Sequence, residues 1–214
     1  MDMYWEIELF DNKGRIVKKY KQPCRSLLAN FLRIWRGMLL AKGGYTGYAS
    51  GLKASCIVKG LDGSNIEVWT EWYTSDEVHA GGTCMGAKAD EGDDSYGIVV
   101  GSGSTPVTMD DYNLESKISH GTGDGQLYYG SHGLNVIEET GQVKVQINRS
   151  FMNHGSINVT VREVGLIARN YWKDGTGIKK DVKFLIIRDV LASPIDVPPA
   201  YGLSVKFTIA ISTG

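Results

Sequence analysis

Hydrophobic and polar positions alternate with a period of two over much of this chain. Trp5, Ile7 and Leu9 interleave with Glu6 and Glu8, the pattern of a half-buried strand. Asp11-Asn12-Lys13-Gly14 supplies turn chemistry and Arg15 to Tyr20 returns, so a hairpin is expected at the start. A second hairpin is predicted from about Ala54 to Tyr73, turning near Asp62-Gly63. Its return strand carries Ile66, Val68, Thr70 and Trp72 on one face and Glu67, Trp69, Glu71 and Tyr73 on the other, so both faces hold aromatic rings. Further on, Asn135–Glu138 and Val143–Asn148 flank a turn at Thr140-Gly141. Ile157, Val159 and Val161 alternate with Asn158, Thr160 and Arg162, and the polar stretch Lys173 to Gly177 separates Val164–Tyr171 from Phe184–Leu191.

The last strand has the most regular alternation. Leu203, Val205, Phe207, Ile209 and Ile211 are expected to face the core, with Lys206 and Thr208 turned to solvent or a neighbouring subunit. Phe184–Leu191 is its expected partner, reached through a proline-containing crossing at 192–202. Arg188 and Asp189 are adjacent and so face opposite ways, which predicts a separate partner for each.

One segment changes period. Leu27, Leu28, Phe31, Leu32, Trp35, Met38 and Leu39 recur at three-to-four spacing after Pro23, with Ser26 as N-cap and Gly43-Gly44 as stop. This predicts a helix over Ser26–Ala41 that packs its Leu27/Phe31/Trp35/Met38 stripe on a sheet. Arg25, Arg33 and Arg36 lie largely off that stripe and form a solvated face. A short helix is also expected from Thr108 to Ile118. Residues 74–96 show no period and read as a long loop. The fold class that results is mainly β: an antiparallel β-sandwich or barrel with one packed N-terminal α-helix. It forms a single β-rich domain over 1–214, with a hairpin–helix element at about 1–45 and the long loop at about 74–96.

Composition sharpens this picture. Twenty-seven glycines against five prolines fit many tight turns between short strands. With 23 basic and 24 acidic side chains, no global field draws the chain to nucleic acid or an anionic membrane, so neither is expected as a partner. Leu27 to Ala41 is broken by Asn30, Arg33 and Arg36 and is not a membrane span. Cys24, Cys56 and Cys84 are odd in number and lack a C-x-x-C pair, which points to free thiols. No secretory leader is legible, so synthesis in the cytosol is expected.

Candidate chemistry is thin. Gly101-Ser102-Gly103-Ser104 lacks the lysine and third glycine of a phosphate loop and reads as a tight turn. His79, His120, His132 and His154 have no metal-ligand spacing. Asp90, Glu91, Asp93 and Asp94 offer hard oxygen ligands without the spacing of a calcium loop, so a solvated acidic loop is expected there. No Gly-x-Ser-x-Gly elbow occurs. No catalytic residue, cofactor or metal site is expected.

Three blocks carry a resemblance: GIVVGSGSTPVTMDDYNLESKISHG (Gly97 to Gly121), NRSFMNHGSINVTVREVGLIA (Asn148 to Ala168) and FLIIRDVLASPIDVPPAYGLSVKFTIAIS (Phe184 to Ser212). With the Ser-Leu-Leu-x-Asn-Phe run at Ser26 to Phe31, they resemble modules of tailed-bacteriophage virion proteins of the fibre, neck and capsid-decoration kind. The resemblance implies a virion-located, multimeric, non-enzymatic building block, with itself and other virion proteins as partners. Trp69, Trp72, Tyr73, Tyr128 and Tyr129 are the candidate interface residues, because aromatic side chains are enriched at subunit contacts. The alternative is a module that binds carbohydrate or a host surface by stacking Trp69, Tyr73, Tyr128 and Tyr129 on sugar rings. An enzyme of unrecognised type ranks behind both.

Overall fold

The computed structural model describes residues 1–40, 55–69, 83–173 and 179–212. Among them lie eleven strands and one helix: β1 (Asp2–Phe10), β2 (Ile16–Pro23), α1 (Ala29–Leu40), β3 (Ser55–Lys59), β4 (Asn65–Trp69), β5 (Thr83–Gly86), β6 (Gly97–Gly101), β7 (Tyr128–Glu139), β8 (Gln142–Met152), β9 (Val159–Lys173), β10 (Lys179–Val197) and β11 (Gly202–Ser212). The fold is mainly β, every strand pairing is antiparallel, and among the described residues no sheet closes into a barrel.

Two sheets pack face to face. The first has the order β2-β1-β11-β8-β7; the second is built on β9, with β10 along one edge and β5 then β6 along the other. The alternation read from sequence sets the inner face of the first sheet. Trp5, Ile7 and Leu9 stand opposite Phe207, Val205 and Leu203, and these in turn stand opposite Ile147, Arg149 and Phe151. All of these side chains are buried. Polar groups tie the sheets together at intervals: the Trp5 indole donates to Asp189 at 2.8 Å, and Gln22 donates to the Val190 carbonyl at 3.3 Å.

The last strand has the predicted orientation but not the predicted partner. β11 lies between β1 and β8, whereas β10 belongs to the second sheet, so the crossing at Pro198-Pro199 changes sheets instead of closing a hairpin. Asn153 fixes that crossing. Its side-chain amide donates to the carbonyls of Val197 and Ile157, its backbone bonds Tyr201 and Ala200, and Ala200 takes a positive φ of 64°. Thr208 does point away from the core, yet it is fully enclosed on the outer face and accepts a hydrogen bond from Gln146 at 3.2 Å. Ile211 lies on the inward-facing row but is exposed.

The helix differs from its prediction in start and in facing. It begins at Ala29, because Leu27 pairs with Ile187 at the edge of β10 and the Leu28 amide donates to the Ile186 carbonyl at 2.9 Å. The Ala29 amide donates to the Met109 carbonyl, so a backbone partner satisfies a helix-end donor that Ser26 was expected to cap. The buried face runs through Asn30, Ile34 and Gly37. Asn30 is the hinge of this packing: its amide nitrogen donates to the carbonyls of Lys59 and Leu185, and its oxygen accepts from the Lys59 amide. At 3.6 residues per turn Trp35 sits about 140° around the helix from Asn30. Trp35 is accordingly 48% exposed and Met38 is exposed too, while Leu27 and Phe31 are half-buried against the core.

The second hairpin forms over β3 and β4, with Gly63 at φ 81° in its turn and Val58 and Val68 buried; its extension to Tyr73 and the Gly43-Gly44 stop lie outside the described residues. No helix forms over Thr108–Ile118. The capping bond is present, Thr108 Oγ1 donating to Asp111 at 2.6 Å, but it closes a single turn and the segment continues as turns and bends. Leu114 is buried against Gly165, where an added Cβ would come within 2.5 Å of the leucine methyl. Within the expected loop 74–96, β5 pairs with β9. Cys24 and Cys56 are buried and neither forms a disulfide.

Candidate functional site

Of the five aromatic residues predicted to form an interface, Tyr128 and Tyr129 lie on opposite faces of β7. Tyr129 is a core residue and is not available to a partner. Its hydroxyl donates to the Ile118 carbonyl at 2.5 Å, its ring meets Phe151 edge-on at 4.7 Å, and burial pushes its phenol above the ordinary value. Tyr128 points to the other face and is half-buried; its hydroxyl donates to Glu91 at 2.6 Å, which raises its pKa, and its ring lies against His120 and His154. Trp69 closes β4 opposite Ser55, and Trp72 and Tyr73 lie outside the described residues. Period-two alternation required Tyr128 and Tyr129 to face opposite ways, so no more than one of them was free for a surface role.

The buried polar groups are internally satisfied. Arg149 is fully buried, and all five of its N–H donors go to backbone carbonyls: Gly130, Tyr96, Ile98, Asp90 and Asp93, at 2.6–3.4 Å. Burial lowers its pKa to about 10, so it keeps its charge at neutral pH. His132, its cross-strand neighbour, accepts from the Ile98 amide through Nε2 at 2.8 Å; Nδ1 therefore carries the proton and donates to the Ala89 carbonyl at 3.0 Å. Burial and the nearby Arg149 charge lower its pKa to about 4, and it is neutral. Together the two side chains fasten the acidic loop to the sandwich by its backbone.

Two acidic side chains of that loop, Asp93 and Asp94, are also engaged. Asp94 accepts from the His120 amide and pairs with Lys117 at 3.2 Å, and Asp93 accepts from Ser95. Among the described residues no group of three or more His, Cys, Asp or Glu is placed to hold a metal ion.

On the second sheet, Glu163 and Arg188 form a buried pair at 2.8 Å. Glu163 also accepts from the amides of Gly103, Glu115 and Ser116, and Arg188 reaches Asp111 at 2.7 Å and Thr105. Burial raises the Asp111 pKa, but bonds from Thr108 and Arg188 outweigh it and hold the carboxyl below its ordinary range. This pair pins the 102–118 segment over the sheet, which accounts for the Gly101–Ser104 run. A cavity of about 90 Å³ is lined by Trp5, Tyr20, Leu191 and Ile195. It is well below the volume of an ordinary small-molecule site, roughly 300–1,000 Å³.

The surface feature that stands out is apolar. The inner face of the first sheet continues past the last row buried by the second sheet. Beyond Trp5–Phe207–Ile147 the rows read Met3–Ile209–Val145–Val136 and then Ile211–Val143. Leu134, Val136 and Ile211 are 56%, 60% and 57% exposed, and Val143 and Val145 are exposed as well. These are β-branched and aliphatic residues on one flat sheet face, in the same alternation that builds the core. Leu32, Trp35, Met38 and Leu39 of α1 form a second exposed apolar group, with Trp35 stacked on Phe31 at 6.0 Å.

Comparison with known proteins returned no match: no family model, no curated protein and no solved structure resembles the chain closely enough to be counted. The site itself defines the class: a mainly β protein whose polar clusters are structural and whose inner sheet face outruns its own core.

Proposed function

We propose that this chain is a non-enzymatic structural subunit of a tailed-phage virion, a component of the tail, neck, fibre or capsid surface. It acts through contacts with copies of itself and with other virion proteins, after synthesis in the host cytoplasm. The observation that supports assembly most directly is the apolar sheet face around Val136, Val145 and Ile211. Contiguous exposed apolar surface of this kind marks interaction sites in proteins that remain folded in water. The resemblance of the 97–121, 148–168 and 184–212 blocks to virion modules supports the choice of assembly.

The test is light scattering and electron microscopy of the purified chain, together with mass spectrometry of purified virions. Complexes larger than one chain, and the chain in fixed stoichiometry in virions, are the expected results. A monomer at every concentration, absent from virions, refutes the reading.

A further inference from the structure

The two outer strands of the five-stranded sheet, β2 and β7, carry opposite charge. At one end β2 and the turn before it carry Arg15, Lys18, Lys19 and Lys21, with Ile16 and Val17 exposed between them. At the other end β7 finishes in Glu138 and Glu139, preceded by the exposed Leu134 and Val136. Among the described residues no strand lies beyond β2, nor beyond Leu134–Glu139 of β7. The first part of β7 is closed off by the acidic loop, whose Gly92 amide donates to the Tyr129 carbonyl at 2.9 Å. The open stretch is therefore confined to the acidic, apolar end.

We infer that β2 of one copy of this chain adds to β7 of the next, so that the five-stranded sheets of successive copies join head to tail through their basic and acidic edges. The inference rests on the assembly reading above and specifies its geometry. An unpaired edge is a template for another strand, and lysines on an edge normally deter pairing. Here those lysines select among partners. A two-fold contact of β2 with β2 sets lysines against lysines, and one of β7 with β7 sets Glu138 and Glu139 against their own copies. Only β2 on β7 brings unlike charges together, and like-charge juxtaposition is what excludes the wrong partner.

Part of this charge is already spoken for: Lys19 pairs with Glu8 at 2.7 Å and Glu139 with Lys144 at 3.0 Å. Lys18 and Lys21 lie over the rings of Tyr20 and Tyr4. None of the ion pairs found among the described residues engages Lys18, Lys21 or Glu138. The sheet order makes β2 and β7 run in the same direction, because four antiparallel steps separate them. A head-to-tail repeat therefore pairs them in parallel. Such a contact uses two different surfaces on each copy, and it closes into a ring or continues as a filament.

The experiment uses the full chain and charge reversal at each edge, read by native mass spectrometry and light scattering. Lys18→Glu/Lys21→Glu and Glu138→Lys/Glu139→Lys should each raise the concentration needed for assembly by about tenfold or more. The quadruple variant, with both edges reversed, should restore assembly. Amide exchange should slow at 16–21 and 134–139 when the wild-type chain assembles. An assembly indifferent to both double reversals, or one that stops at a two-fold dimer, overturns head-to-tail pairing and leaves the structural-subunit reading standing. A wild-type chain that stays monomeric overturns head-to-tail pairing, and only if it is also absent from virions does it overturn the structural-subunit reading.

Discussion

Arg188 and Asp189 are neighbours in β10 and serve opposite faces of the same sheet: Arg188 donates to Glu163 at 2.8 Å, and Asp189 accepts from the Trp5 indole at 2.8 Å. One bond holds the 102–118 segment to the outside of the sandwich, and the other holds the two sheets together. Removing the arginine leaves Glu163 buried without a counter-charge. Arg188→Met should cost about 3–5 kcal/mol, the usual penalty for breaking a buried pair. The Arg188→Met/Glu163→Gln double variant should lose less than the sum of the two singles. Urea unfolding of all four proteins measures the coupling, and strictly additive losses contradict it.

Stability should fall as the solution is acidified below neutrality. His132 has a folded pKa of about 4 against 6.5 for the free side chain, so the unfolded chain takes up the proton first. Its contribution is complete above pH 6.5 and disappears as the pH drops towards 4, a loss of roughly 3 kcal/mol. Denaturant unfolding at pH 7 and pH 4.5 should show this slope, and His132→Gln should flatten it. An equal slope in the variant assigns the pH dependence to other groups.

The two faces of α1 should respond differently to truncation. Ile34 is fully buried, so Ile34→Ala should destabilise by about 2–5 kcal/mol. Trp35→Ala removes a half-exposed ring and should cost no more than about 1 kcal/mol. Thermal melts of the two variants decide it, and the reverse order places the helix in the wrong rotation.

Val145 sits in the middle of the exposed apolar rows, between Val136 and Ile209. Val145→Lys should change monomer stability by about 0.5 kcal/mol or less and sharply reduce assembly. Light scattering beside a thermal melt separates the two effects. Unchanged assembly removes this face from the interface.

Much of the fold was legible because strand alternation is a local property. The burial of Trp5, Ile7, Leu9, Leu203, Val205 and Phe207 follows from a period of two and a covered face, and neither depends on knowing the partner strand. The opposite facing of Arg188 and Asp189 follows from the same rule. The choice of partner for β11 was not legible: Phe184–Leu191 was nearest in sequence, but strand pairing is fixed by which sheet each strand joins, and Pro198-Pro199 gives no sign that the chain changes sheets there.

The site divides along the same line. The apolar stripe of α1 is too broad to fix which of its residues face inward, and the marker of the buried face is a polar residue, Asn30, whose partners are 29 and 155 residues away. Counting aromatic residues singled out Tyr129, which the core absorbed, and passed over Leu134, Val136, Val145 and Ile211, whose alternation is indistinguishable from that of core residues. Sequence by itself determined which side chains share a face, because that depends on backbone geometry within each strand. Tertiary structure alone decided which parts of that face are covered, because coverage depends on where the second sheet ends.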